Sequence, residues 1–341
     1  MASTITALSE DSTSSAVSTG RRRFSLLLLG ATLFLIFAGA EVKSREAGLS
    51  VPDWPLSYGM LMPPMVGNVF YEHGHRMVAT LVGALSLVLA LWTQKTESRR
   101  WIRRLAWLIF TAVCLQGALG GITVKYLLPT PVSMGHGILA QTILCAMAVL
   151  VVASGQEWNG VAGADSEGNP ARARALRAVL LAVAVIWIQL ALGAWVRHTE
   201  SGLAVPFFPI SESGAWIPEF TNDRVVTHMI HRGFALVVTV TVLWASLKSF
   251  RLGGSMRNHA LALPLLLIGQ IALGGAVVWT ASRDAAGVLV KAPIPASLHV
   301  LNGALLLVVS WSLSLRLWRE CWRTGRVESD EGLHHLGQEA R

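Results

Sequence analysis

Four histidines sit at matching places along this chain: His75 in FYEHGHRMVA, His136 in VSMGHGILAQ, His231 in VTHMIHRGFA and His299 in ASLHVLNGA. Each lies at or just inside the end of a hydrophobic segment. An imidazole at that depth in a membrane costs free energy unless it has a partner, so such residues mark functional sites by default. Two pairs at one depth point to two metal centres, read here as two haems, each held between helices. Imidazole nitrogens serve as axial ligands to haem iron, and the within-half pairs His75 with His136 and His231 with His299 are the natural choice. Three residues before His75 stands Glu72, where the matching position before His231 is His228. The i, i+3 spacing puts Glu72 on the same helix face as His75, where a carboxylate could act as a base or nucleophile or simply sit at a helix N-terminus. Arg76 and Arg232 each follow a candidate ligand and could pair with haem propionates or reach lipid headgroups.

The elements that must carry these residues are membrane helices. Of 341 residues, 53% are hydrophobic and only 14% charged. Apolar runs long enough to cross a bilayer recur at roughly 24–41, 73–92, 105–124, 132–154, 177–196, 225–247, 260–280 and 296–317. The first follows Arg21–Arg23 and resembles a signal peptide, but lacks a clear small-residue cleavage site and belongs to a repeat, so it reads as a retained helix. The net charge of +8 gathers at Arg21–Arg23, 95–104, the arginines 172, 174 and 177, 248–257 and 316–326. These fall on one side of an eight-helix path, which puts both termini in the cytoplasm and the loops 42–72, 125–131, 197–224 and 281–295 outside.

The chain repeats itself. GAEVKSREAGLSVPDWP (39–55) matches GAWVRHTESGLAVPFFP (193–209), EHGHRMVA matches HMIHRGFA, and LQGALGGITV matches GQIALGGAVV. A four-helix repeat crosses an even number of times, so both copies share one orientation. The expected fold class is an all-α integral membrane protein: two parallel four-helix bundles related by a pseudo-twofold axis along the membrane normal. Residues 1–20 read as a disordered cytoplasmic tail, 21–154 as the N-terminal bundle, 155–174 as a cytoplasmic linker, 175–320 as the C-terminal bundle and 321–341 as a second tail. The Gln-x-Ala-Leu-Gly-small pattern at 116–121, 189–194 and 270–275 would serve helix packing or make room for a flat cofactor. Pro52-Asp53-Trp54-Pro55 is a rigid turn expected to fold over the first site, with Trp54 as lid or interfacial anchor. The histidines at 73, 198, 228, 259, 334 and 335 lack the repeat logic or the depth of ligands. Cys114 and Cys145 lie in apolar helices as ordinary thiols, and Cys321 follows the last one.

GLSVPDWPLSYG, Glu72-x-x-His75-Arg76, His136, Ile230-His231-Arg232 and His299 on eight helices in two halves together resemble the heme A synthase family, over about residues 24–317. The resemblance implies an oxidoreductase that converts the C8 methyl group of haem o to a formyl group, giving haem a for terminal oxidases, with water as oxygen source. It implies haem o on His75 and His136, a haem b cofactor on His231 and His299, and Glu72 as the essential carboxylate. It further implies an electron acceptor of unnamed kind, the haem o synthase, oxidase assembly factors and a second copy of the chain as candidate partners, in an inner (plasma) membrane. Many bacterial members carry a cysteine pair in the first outer loop. None is present here, so the chain looks like the cysteine-lacking, mitochondrial-type class.

Two other classes compete. A dihaem cytochrome b-like electron carrier would need no carboxylate beside only one haem. A transporter of parallel repeats would place its site at the bilayer midplane. A farnesyl transferase acting on haem would want Asp-rich magnesium-pyrophosphate motifs, which are not found in the sequence.

Overall fold

The computed structural model describes residues 2–155, 158, 170–211, 214–283, 287, 289–290 and 292–339, with the side chains of 2–18, 283, 289 and 322–339 outside it. Its helices are α1 (Ala2–Ser44), α2 (Gly67–Thr96), α3 (Arg100–Lys125), α4 (Thr130–Ala153), α5 (Pro170–His198), α6 (Asp223–Phe250), α7 (Gly254–Trp279) and α8 (Pro293–Glu339). Each contains a stretch long and apolar enough to cross a membrane. The chain is a multi-pass membrane protein.

The helices outrun the apolar runs because polar residues at their ends still satisfy backbone bonds while reaching water. Prolines open several of them: Pro131 lies in the first turn of α4, and Pro170 and Pro293 begin α5 and α8, where the missing N–H is no loss. Pro170 also shortens the expected linker, of which 156–157 and 159–169 lie outside the described residues. Where tails were expected, the backbone continues as helix back to Ala2 and on to Glu339. No proline interrupts either stretch, and extending a helix is far easier than starting one. The all-α membrane expectation holds, with one short exception. The connection before α8 holds a two-residue antiparallel pair, β1 (Ser282–Arg283) with β2 (Leu289–Val290), in register Ser282↔Val290.

Each half closes on itself: α1 packs on α2, α2 on α3, α3 on α4 and α4 on α1, and α5 to α8 do the same. Between halves the contacts are α1 with α8, α4 with α5, and α4 with α8. Exchanging the halves leaves this set unchanged. Both apolar cores lie toward the arginine-rich end, with Leu28, Val82, Leu89, Ile102 and Met147 in one half and Ala178, Val179, Val242, Leu263 and Leu307 in the other. Leu144 and Ala148 of α4 meet Ala304 and Val308 of α8 across the seam, and Trp311 donates to the Cys145 carbonyl at 3.1 Å. Pro264 inside α7 frees the carbonyl four residues earlier, and Ser246 of α6 donates to that Ala260 oxygen at 2.6 Å. With the cores at one end, the histidine-bearing end of each bundle is free to hold something other than side chains.

Candidate functional site

Every candidate ligand leans on a glycine of the helix before it in sequence. A Cβ added to Gly39 of α1 would lie 2.9 Å from His75 Cε1, and one on Gly120 of α3 would lie 3.2 Å from His136 Cε1. Gly193 of α5 stands to His231, and Gly274 of α7 to His299, at the same 3.2 Å. A Cβ at Gly39 would force the His75 ring to shift, and one at the other three would crowd the ring by a few tenths of an ångström. Four helix pairs thus repeat one local device, a glycine that lets the Cε1 edge of an imidazole approach the neighbouring backbone. Three of these glycines are the fifth residue of the Gln-x-Ala-Leu-Gly pattern. Its bland and functional readings therefore merge, since close packing is what seats the ring.

The residue four before each glycine completes the cradle. The Gln116 and Gln189 amides donate to the backbone carbonyls of His136 (2.9 Å) and His231 (3.0 Å). On α7 the Gln270 carbonyl meets His299 Nδ1 at 3.1 Å, while the Gln270 amide sits 3.2 Å from His299 Nε2. Asn302 donates to Gln270 Oε1 at 2.8 Å and to the Leu266 carbonyl. At the matching place on α1 stands Leu35, whose carbonyl faces His75. The Nδ1 atoms of His75, His136 and His231 are buried without an aligned hydrogen-bond partner.

These residues fit a haem. Two imidazoles on opposite sides of one metal ion, at about 2 Å per bond, would put their ring centres about 6 Å apart. The His231 and His299 centroids lie 6.3 Å apart. His75 and His136 lie within electrostatic reach of each other. Among the described residues no three of His, Cys, Asp and Glu converge on one point, and a two-histidine site suits a metal that brings its remaining ligands with it. Only the His299 Nδ1 meets a carbonyl, that of Gln270 at 3.1 Å, the kind of partner that orients a metal-bound imidazole.

Glu72 lies five residues into α2 and is only 4% exposed, so it is no surface charge at a helix end. Its Oε2 accepts the Val51 N–H at 2.8 Å and its Oε1 the Arg76 guanidinium at 2.7 Å. Arg76 also donates to the Asp53 (2.7 Å), Leu56 (2.8 Å) and Val51 (3.3 Å) carbonyls. With the Glu72 bond, all four terminal N–H groups are engaged. The second half repeats the clamp: Arg232 donates to the Val205 (2.9 Å) and Phe207 (2.8 Å) carbonyls and approaches His228 Nε2 at 3.1 Å. Val205 N lies 3.3 Å from His228 Nδ1. A neutral imidazole accepts through one nitrogen only, so His228 cannot supply both bonds that Glu72 makes. Arg232 keeps spare N–H groups, whereas a propionate on Arg76 would have to displace a loop carbonyl.

The loops these arginines hold cover both sites. The Trp54 ring lies where a Cβ on Gly121 would be, its Cδ2 2.6 Å away, and at Gly275 the Phe208 ring approaches to 3.2 Å beside Trp279 of the same helix at 2.9 Å. The first loop is further fixed by Asp53, which accepts from Gly59 N (2.8 Å) and Tyr58 N (2.6 Å). Gly59 N–H, first, and Tyr58 N–H hold the Asp53 carboxyl below its usual range. His73, set aside as a ligand, is buried and bonded to Ser57 of this loop at 2.8 Å. His259 contacts its own helix through the Ser255 carbonyl. His334 and His335 lie beyond the described side chains.

The glycine cradles escaped the sequence reading as a set, although Gly39 and Gly193 open the two matching segments of the repeat. The buried Glu41 and the interhelix Arg197 escaped it too, since neither is distinguished by type or periodicity.

Comparison with known proteins places the chain in a family. Residues 65–311 match the family model COX15-CtaA, described as cytochrome oxidase assembly protein. Curated relatives named heme A synthase include one from Symbiobacterium thermophilum, 33% identical over 261 residues, covering 74% of this chain and 84% of the relative. One from Shouchella clausii is 28% identical over 274 residues, covering 76% and 87%. One from Shewanella oneidensis is 27% identical over 339 residues, covering 87% and 96%.

Proposed function

The chain belongs to the COX15-CtaA family of cytochrome oxidase assembly proteins, and from that premise we propose that it acts as a heme A synthase. In this reading it oxidises the C8 methyl group of haem o to a formyl group for terminal oxidases. The observation that carries the reading is the fourfold glycine–histidine cradle, two in each half, with the buried carboxylate Glu72 in the first half where the second has His228.

Substrate haem o takes His75 and His136, and a haem b cofactor takes His231 and His299. Bound haem b supplies one-electron redox chemistry. Methyl to formyl takes one oxygen atom from water and releases four protons and four electrons. The protons need a base beside the first site. Glu72 is placed for this, since either oxygen becomes available when Val51 N–H or an Arg76 N–H lets go. The loop it clamps, with Trp54 over α3, keeps bulk water from the reacting methyl. Arg232, with spare N–H groups, is the better of the two propionate-pairing candidates. The unchanged contact set on exchanging halves supports a pseudo-twofold axis along the membrane normal. The arginine-rich ends support an orientation in the plasma membrane with both termini cytoplasmic and the histidine ends outward. The electrons leave to an acceptor outside the chain.

The test is expression of this chain in cells supplied with haem o, followed by haem extraction and mass analysis. Haem a is the expected product. A membrane-inserted protein that binds haem b and yields neither haem a nor an alcohol intermediate would favour the dihaem electron carrier.

A further inference from the structure

The two halves meet at the histidine end through a seam of charge. Lys43 of α1 pairs with Glu200, just past α5, and Glu41 of α1 pairs with Arg45 at 2.9 Å. Thr130 of α4 donates to the His198 carbonyl at 3.4 Å, and Ser44 of α1 lies 3.1 Å from Ser297 of α8. Between them runs Arg197, one turn beyond the Gly193 that seats His231. Its Nη2 donates to the Ala40 carbonyl at 2.5 Å and to Ser44 Oγ at 3.0 Å. Ala40 is the residue after Gly39, which seats His75. His299, Glu41 and Glu200 all lie within electrostatic reach of Arg197.

The charges in this seam do not balance. Each carboxylate already has its own cation, Glu41 with Arg45 and Glu200 with Lys43, and among the described residues Arg197 makes no ion pair. Its Nε and Nη1 donors are also without a partner there. A cation held inside a membrane protein against only a carbonyl and a hydroxyl is costly unless an anion joins it. Arg76 and Arg232 are held by the loops, so Arg197 is the guanidinium with the most donors open. A haem brings two propionate carboxylates, and a guanidinium fork matches a carboxylate.

We infer that Arg197 is the cation set against a propionate of the group held by His231 and His299, and that through Ala40 it ties this site to the helix that seats His75. The inference rests on the haem reading of the second site. Arg197 is then a positioning residue common to both halves. Its charge favours the reduced cofactor, drawing electrons across the seam from the first site toward the second.

The experiment is a redox titration of the b-type absorbance in purified full-length protein. Arg197→Gln should keep the absorbance and shift the reduction equilibrium about tenfold toward the oxidised form, about 59 mV lower for a one-electron couple. Arg197→Lys, which keeps the charge, should shift it by less than about threefold on the same scale. Loss of haem from Arg197→Gln with retention in Arg197→Lys would support the inference equally. Ser44→Ala removes only a clamp hydroxyl and should keep the wild-type potential. An unchanged potential in Arg197→Gln, equal shifts in Gln and Lys, haem loss from both folded variants, or a comparable shift in Ser44→Ala would each overturn it. Retained b-type absorbance in His231→Ala would instead sink the haem reading itself.

Discussion

The two halves of this molecule are one device built twice and then altered at a few positions. Both seat two imidazoles on glycines, both hang an outer loop on an arginine one residue past a ligand, and both lay an aromatic ring of that loop on a helix glycine. The first half has Glu72 where the second has His228, Asp53 where the second has Phe207, and Glu41 where the second has Trp195. All three changes add carboxylates to the first half. The second half gains a helix cap instead: Asn222 accepts from Arg224 N and Val225 N at the start of α6, whereas Val66 before α2 makes no side-chain cap. Shared parts bind, and the parts that differ divide the labour. In the proposed reading, the buried Glu72 serves the first half as proton acceptor, and the second half keeps a plain two-histidine site.

The sharpest break between the halves is expected from the ligands. His231→Ala or His299→Ala should abolish the b-type absorbance of purified protein. His75→Ala or His136→Ala should leave that absorbance and abolish haem a formation. Retention of the b-type spectrum in both second-half variants would erase the proposed division. Next comes Glu72→Gln, which keeps size and removes the base. Haem a formation, followed by extraction and mass analysis, should fall by about a hundredfold or more, with haem o or the alcohol accumulating, while His228→Gln costs far less. Near wild-type conversion by Glu72→Gln would reduce Glu72 to a loop clamp. A smaller effect is expected from Gly193→Ala. Its Cβ would press on His231, at about 1–3 kcal/mol for an overpacked site, read as about a tenfold or greater drop in haem b occupancy with haem o binding kept.

The stability of the caps should differ in the same sense. Asn222→Ala should cost about 1 kcal/mol, measured as a lower unfolding temperature, and Val66→Ala should not. The mildest expected effect is in pH. The Asp53 carboxyl is held below its usual range by Gly59 N–H and then Tyr58 N–H. It therefore supports the first loop fully above about pH 4, the unfolded value, and loses that support as pH falls through its folded value. Hydrogen exchange at Tyr58 and Gly59 should rise in acid for the wild type. In Asp53→Asn it should be raised at all pH values, and the second loop, with Phe207, should show no such step.

Much of this was legible in the chain because a membrane leaves few options. Apolar runs of about twenty residues must be helices, and an internal duplication copies both the helix order and the depth of every residue in it. The four matched histidines, the two halves and the Glu72–His228 difference follow from that register alone. What the helices touch did not. Helix length ran past the hydrophobic runs because hydrogen bonds, not hydropathy, end a helix. The glycine opposite each imidazole, the loop carbonyls that occupy Arg76, the carboxylate closed between Val51 and Arg76, and Arg197 reaching from α5 to Ala40 are contacts between segments distant in sequence. Only the packing of the bundles decides these, because side-chain direction and neighbouring backbone set whether a charge is free, clamped or left over.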